Sequence, residues 1–257
     1  MFAPGIVSLP GRHEGSVSFS PDLDEVYFNA NNEARETSIY FSKFASGEWS
    51  TVRKADFTGG RIDEETHPSV TPDGKRLYFA AISSDLTYNK VWHVDRNERG
   101  WSEAMELDSL INEDQVFFPN QSASGDLYYF SLSSFQSFRA SAKGNGFSEI
   151  QPVGLAFGVH AFMAPSEDYI VLNARNQENE DRKDNDIYVS FKAGDAGWTR
   201  PINLGDDINS SADERVPTIS PDGKYLFFGK DEVGGDGDAD IYWVSTQVIE
   251  KLRPMAN

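Results

Sequence analysis

The 257-residue chain has no cysteine, which excludes disulfides, thiolate zinc sites and a cysteine nucleophile. Basic residues are scarce: 23 Lys and Arg stand against 41 Asp and Glu, a formal net charge of −18. That charge repels nucleic-acid phosphates and anionic membrane surfaces, so neither is expected as a partner. Cations, basic proteins and neutral ligands remain. No apolar run approaches the roughly 18 residues of a membrane helix, so no transmembrane segment is expected. The opening MFAPGIVSLPG has neither the basic nor the apolar region of a signal peptide. The chain is therefore expected either in the cytoplasm or exported with its signal already removed. Also lacking are a Gly-x-Ser-x-Gly elbow, a Walker loop and a His-Glu-x-x-His helix, which removes the serine hydrolase, nucleotide-binding and zincin readings.

What the chain has in plenty is aromatics, with 18 Phe and 10 Tyr, and a repeated phrase. Thr-Pro-Asp-Gly-Lys-Arg-Leu-Tyr-Phe at 71–79 returns as Ser-Pro-Asp-Gly-Lys-Tyr-Leu-Phe-Phe at 220–228. Pro fixes φ for the second position of a turn, Asp tolerates the third, and Gly accepts the left-handed conformation that sends the chain back into an apolar strand. Weaker copies start at Ser20, Ser122 and Ala164, so the five anchors are spaced by 51, 51, 42 and 56 residues. This is the scale of a four-stranded propeller blade. Third strands follow at Ile39-Tyr40-Phe41, Val91-Trp92-His93, Phe138-Arg139-Ala140, Ile187-Tyr188-Val189 and Ile241-Tyr242-Trp243. Four copies continue through a Gly turn and an aromatic (Trp49, Trp101, Phe147, Trp198) into a fourth strand; the fifth does not. These aromatics read as packing between blades.

The expected fold is all-β: one five-bladed β-propeller over 1–257, with blades at about 14–57, 65–110, 116–155, 159–207 and 214–246. The fifth blade lacks an outer strand and the start of the chain has apolar residues to spare, so an N-terminal strand at 3–9 is expected to complete it and close the ring.

The Pro-Asp-Gly phrases, Asp-Ile-Tyr, and Ile208-Asn209-Ser210-Ser211-Ala212-Asp213-Glu214 leading into Val216-Pro217 resemble the WD-like propeller repeats of the TolB family. The resemblance covers nearly the whole chain and is specific for the repeat. TolB itself has six blades and an extra N-terminal domain, for which this chain has no room, so its partner-binding role does not carry over residue by residue. The resemblance implies export to the periplasm or cell surface.

Propellers carry sites at the channel mouth where the innermost strands begin. Stepping back equally from the anchors aligns Glu14, Glu65, Val116, Gly158 and Glu214 at one level. His67 and His160 fall two positions on, and His13, Gln115 and Arg215 lie beside them. Two readings are open. Three carboxylates and three imidazoles at one level could bind a divalent cation, sugar hydroxyls or a protein partner, or supply an acid/base pair. Alternatively, each Glu caps backbone amides within its own blade or pairs with Arg215. The leading expectation is a non-enzymatic scaffold binding a protein partner or a glycan-like carbohydrate ligand through His13, Glu14, Glu65, His67, Gln115, His160, Glu214 and Arg215, with a divalent cation as candidate cofactor. The alternative is a carbohydrate-active enzyme, a glycosidase or metal-dependent lyase. The acidic loop 231–240 invites a calcium reading, but Ala239 breaks the repeat pattern calcium would need, and a turn ending in a capping Asp240 is the simpler expectation.

Overall fold

The computed structural model describes residues 1–32, 36–179, 181–194, 197–231 and 238–255. Among them the strands form five antiparallel sheets in sequence order. The innermost strands are Glu14–Phe19, Glu64–Val70, Val116–Gln121, Val159–Met163 and Asp213–Ile219. Each pairs antiparallel with a second strand: Glu25–Asn31, Arg76–Ile82, Leu127–Ser131, Tyr169–Arg175 or Tyr225–Asp231. Blades one to four add third and outer strands, and the fifth stops at its third strand, Ala239–Ser245. Apolar clusters fill the seams between blades. One joins Val17 and Phe28 of the first blade to Phe227 and Ile241 of the fifth, so the ring is closed.

The repeated phrase makes the inner turn. Gly74 and Gly223 adopt φ of 69° and 73°, and their amides donate to the carbonyls of Thr71 and Ser220. Where the phrase decays, Leu23 and Glu167 hold the same left-handed position at φ of 60° and 56°, which costs each about 1 kcal/mol.

A second repeated device closes the outer edge. After Trp49, Trp101 and Trp198 comes a hydroxyl residue that grips the third strand twice. The amides of Ser50, Ser102 and Thr199 donate to the carbonyls of Lys43, Asp95 and Phe191. Their hydroxyls accept the amides of those same three residues. Three residues past the clamp the outer strands pair briefly with Phe41, His93 and Val189. The amides of Ala55, Leu107 and Leu204 then donate to the carbonyls of Ile39, Val91 and Ile187.

The fifth blade keeps only the last of these bonds. The Phe2 amide donates to the Ile241 carbonyl at 2.6 Å, the position Ala55, Leu107 and Leu204 hold elsewhere. The start of the chain therefore does lie on the expected edge, and the five-bladed ring is as expected. The closing element is not the expected extended strand at 3–9. Ala3 and Gly5 take φ of 41° and 81°, and the amides of Ile6 and Val7 fold back onto the Ala3 carbonyl, so the segment is a pair of turns. Pro4 lacks the amide an edge ladder would need, and the turns instead bury Val7 in the seam between blades one and five.

The aromatics after the Gly turns are structural and half-buried. The Trp101 indole donates to the Tyr27 hydroxyl of the preceding blade at 2.8 Å. Tyr27 in turn donates to Glu25, which also receives Arg96 of the second blade and Lys43, each at 2.5 Å. Burial alone would raise the Glu25 carboxyl, but Arg96, Lys43 and Tyr27 outweigh it and hold it down at about 2.

Candidate functional site

Every innermost strand carries a bulge at the same level of the ring, where two of its residues face one on the second strand. In four blades the first bulged residue is left-handed: His67 at φ 52°, Phe118 at 55°, His160 at 51° and Val216 at 48°. Proline follows three of them (Pro68, Pro119, Pro217), and a bulge is one of the few places in a strand that tolerates a residue without an amide proton. A β-branched residue at positive φ is strained, and strain of order 1–3 kcal/mol persists only where its surroundings over-determine it.

Two asparagines, each nine positions after its blade's anchor, do that. Asn29 Oδ1 accepts the amide of Ser16 in its own blade at 3.1 Å and that of His67 in the next at 3.4 Å. Asn173 Oδ1 accepts from His160 Nδ1 at 2.8 Å and from the Val216 amide of the next blade at 3.2 Å. An amide oxygen only accepts, so His160 carries its proton on Nδ1 and keeps a lone pair on Nε2.

The bulges bring His67 and His160 together in the channel, ring centroids 5.6 Å apart. Phe117 and Phe118 pack on both imidazoles at 5.0–5.5 Å. Both imidazoles are only partly exposed, and protein surrounds them closely. Desolvation therefore dominates their titration: His160 is pushed down to about 4, with Arg215 adding to the fall, and His67 falls well below the ordinary value, lowered further by His160. Both are neutral at pH 7. His67 Nδ1 is buried without a hydrogen-bond partner. From Phe117 an edge-to-face series runs outward through Phe130 to Phe135, which is 68% exposed at the rim.

The carboxylates stand elsewhere. Glu65 accepts the amides of Thr58 at 2.6 Å and Phe57 at 3.3 Å, in the connection arriving from the first blade. Glu214 accepts the amide and hydroxyl of Ser210 and pairs with Lys230 at 3.2 Å. Glu14 accepts the Leu9 amide and pairs with Arg12 at 2.5 Å. All three are buried, and desolvation raises Glu214 and brings Glu14 to about 7 against the pull of Arg12. Arg215 is exposed and pairs with Asp213 at 2.6 Å, not with a glutamate of the column. Gln115 reaches the Thr87 carbonyl at 3.5 Å, and His13 bridges to Ala239 at the seam of blades one and five. Of the eight expected residues, then, the structure joins His67 and His160, sets Arg215 near them, and places the other five in separate surroundings. Among the described residues no three His, Asp or Glu side chains gather as a metal cluster. Most of the loop 231–240 read for calcium lies outside the described residues.

The fold is that of the TolB-type β-propeller. TolB from Acinetobacter baumannii superposes with a TM-score of 0.57 at 16% identity, covering 91% of this chain and 53% of that one. A putative TolB from Agrobacterium tumefaciens gives 0.55 at 17% identity, covering 93% and 77%. A puromycin-hydrolyzing peptidase from Mycobacterium tuberculosis gives 0.51 at 12%, covering 95% of this chain and 37% of that one. This chain thus spans about half of the Acinetobacter TolB and little over a third of the peptidase. No protein-family model and no curated protein matches the sequence. Among the described residues no helix is long and apolar enough to cross a membrane.

Proposed function

We propose that this propeller is a non-enzymatic binding module that takes a protein segment or a glycan-like ligand at the channel mouth. The observation that carries the reading is the cluster of His67, His160, Phe117 and Phe118, held by left-handed bulges and by Asn173. Imidazole and phenyl faces suit the apolar faces of sugar rings or apolar side chains, the His160 Nε2 lone pair accepts a hydroxyl or amide proton, and Arg215 supplies a cation at the rim. Glu14, Glu65 and Glu214 serve this site by fixing the connections ahead of the inner strands. A carbohydrate-active enzyme would need two carboxylates turned toward the ligand, whereas these three are engaged by backbone amides and cations. An exported, periplasmic location fits the acidic surface, and nucleic acid does not.

The test is calorimetric screening against neutral and acidic oligosaccharides and against short peptides, followed by His67→Ala with Arg215→Ala. The double variant is expected to lose binding at least about tenfold, a change of about 1.4 kcal/mol, while its circular dichroism spectrum stays that of the folded ring. No saturable ligand in either set, or unchanged affinity in the variant, would overturn the reading.

A further inference from the structure

Among the described residues, the outer edge of the fifth blade lacks the strand that covers it in the other four. In an antiparallel strand alternate residues present amide and carbonyl to the same side. Ile241 turns its carbonyl to Phe2 on the outer side, so Trp243 and Ser245 face that side too. Phe41, His93 and Val189, the counterparts of Trp243, are covered by outer strands, and Lys43, Asp95 and Phe191, the counterparts of Ser245, by hydroxyl clamps. Among the described residues neither strand nor clamp reaches Trp243 or Ser245, and the chain turns at Thr246 into the short helix Gln247–Glu250. Trp243 is 46% exposed, with Tyr225 edge-on to it at 5.0 Å.

The occupant's chemistry can be read from the first blade. There the outer-strand residue opposite Phe41 is Arg53, whose guanidinium lies 5.1 Å from the centre of that ring. Trp243 offers a larger ring at the same register, and the face of an indole is the best of the aromatic cation acceptors. Asp240 on the same strand and the net charge of −18 add attraction for a cationic segment.

We propose that the edge at Trp243 and Ser245 docks a short basic β-strand from a partner protein, antiparallel to Ala239–Ser245, with an Arg or Lys over the Trp243 ring. The docked strand continues the register that Phe2 begins, and its backbone supplies the bonds that the clamp and outer strand supply in other blades. This site is independent of the channel mouth.

The probe is a capped peptide Lys-Ser-Thr-Val-Arg, whose last four residues copy positions 50–53 of the chain. It is titrated into the whole protein with amide and indole resonances followed by NMR. Saturable shifts centred on Trp243 and Ser245 are expected, with Kd at or below about 1 mM. Binding should weaken at least about tenfold when the arginine amide of the peptide is N-methylated, and likewise with Trp243→Ala, whose exposed position leaves the fold intact. Lack of saturation, equal binding by the N-methylated peptide, or shifts centred elsewhere would overturn the proposal. So would protection of the Trp243 and Ser245 amides in the protein alone, whether by a second copy or by more of its own chain, since the edge would then already be filled.

Discussion

Replacing Glu25 by Gln tests how the first two blades are joined. The carboxylate is buried and receives the Arg96 guanidinium from the neighbouring blade, the Lys43 ammonium and the Tyr27 hydroxyl. Being held at about 2 against an ordinary 4.5 corresponds to about 3 kcal/mol, at about 1.4 kcal/mol per tenfold change. Lys43 is half exposed and Arg96 partly so, and solvent screening brings the expected loss to about 2 kcal/mol. Because folding lowers this pKa, the stabilisation is complete above the unfolded value of about 4.5 and is lost as pH falls toward about 2. Denaturant unfolding of wild type and Glu25→Gln should therefore differ by about 2 kcal/mol at pH 7, and the difference should shrink to near zero at pH 2. A difference that stays constant down to pH 2 would show that shape, not charge, sets the cost and would refute the argument.

Glu14 should behave with the opposite sign. Folding raises its pKa to about 7, so wild type should lose stability relative to Glu14→Gln as pH rises from 4.5 through 7, and equal melting curves at pH 4 and pH 8 would contradict this. Asn173→Ala leaves the His160 and Val216 donors without their acceptor and should cost about 1–3 kcal/mol, read as a fall in melting temperature. Trp101→Ala, at a half-buried ring that also donates to Tyr27, should cost about 2–3 kcal/mol in denaturant unfolding without touching channel binding. Deleting residues 1–10 uncovers Phe19 and Phe227, which pack on Phe2, and removes buried Val7, so the melting temperature should drop sharply; an unchanged value would show that these residues do not close the ring.

The ring was legible because its repeat is written in turn chemistry. Thr71-Pro72-Asp73-Gly74 and Ser220-Pro221-Asp222-Gly223 fix two anchors, the weaker copies at Ser20, Ser122 and Ala164 supply the other three, and the five together place His67, Phe118, His160 and Val216 at one level, where the left-handed bulges lie. The closing element was less legible, since Pro4 and Gly5 can sit on a strand edge or in a turn and only the packing of Val7 decides. Side-chain direction was the main thing hidden. A shared level does not say whether Glu65 faces the channel or the Thr58 amide, because that depends on where the preceding connection runs. Asn29 and Asn173 carried a signal in their common offset of nine from Ser20 and Ala164, but a single amide at that offset has no meaning until the neighbouring blade's amide is seen beside it.

A crystal structure of the protein with the tightest oligosaccharide or peptide found by screening decides whether the channel mouth binds. The ligand is expected against Phe117 and His160 with its polar end toward Arg215. Ligand bound only on the opposite face, around the Pro72 and Pro221 turns, would contradict that expectation.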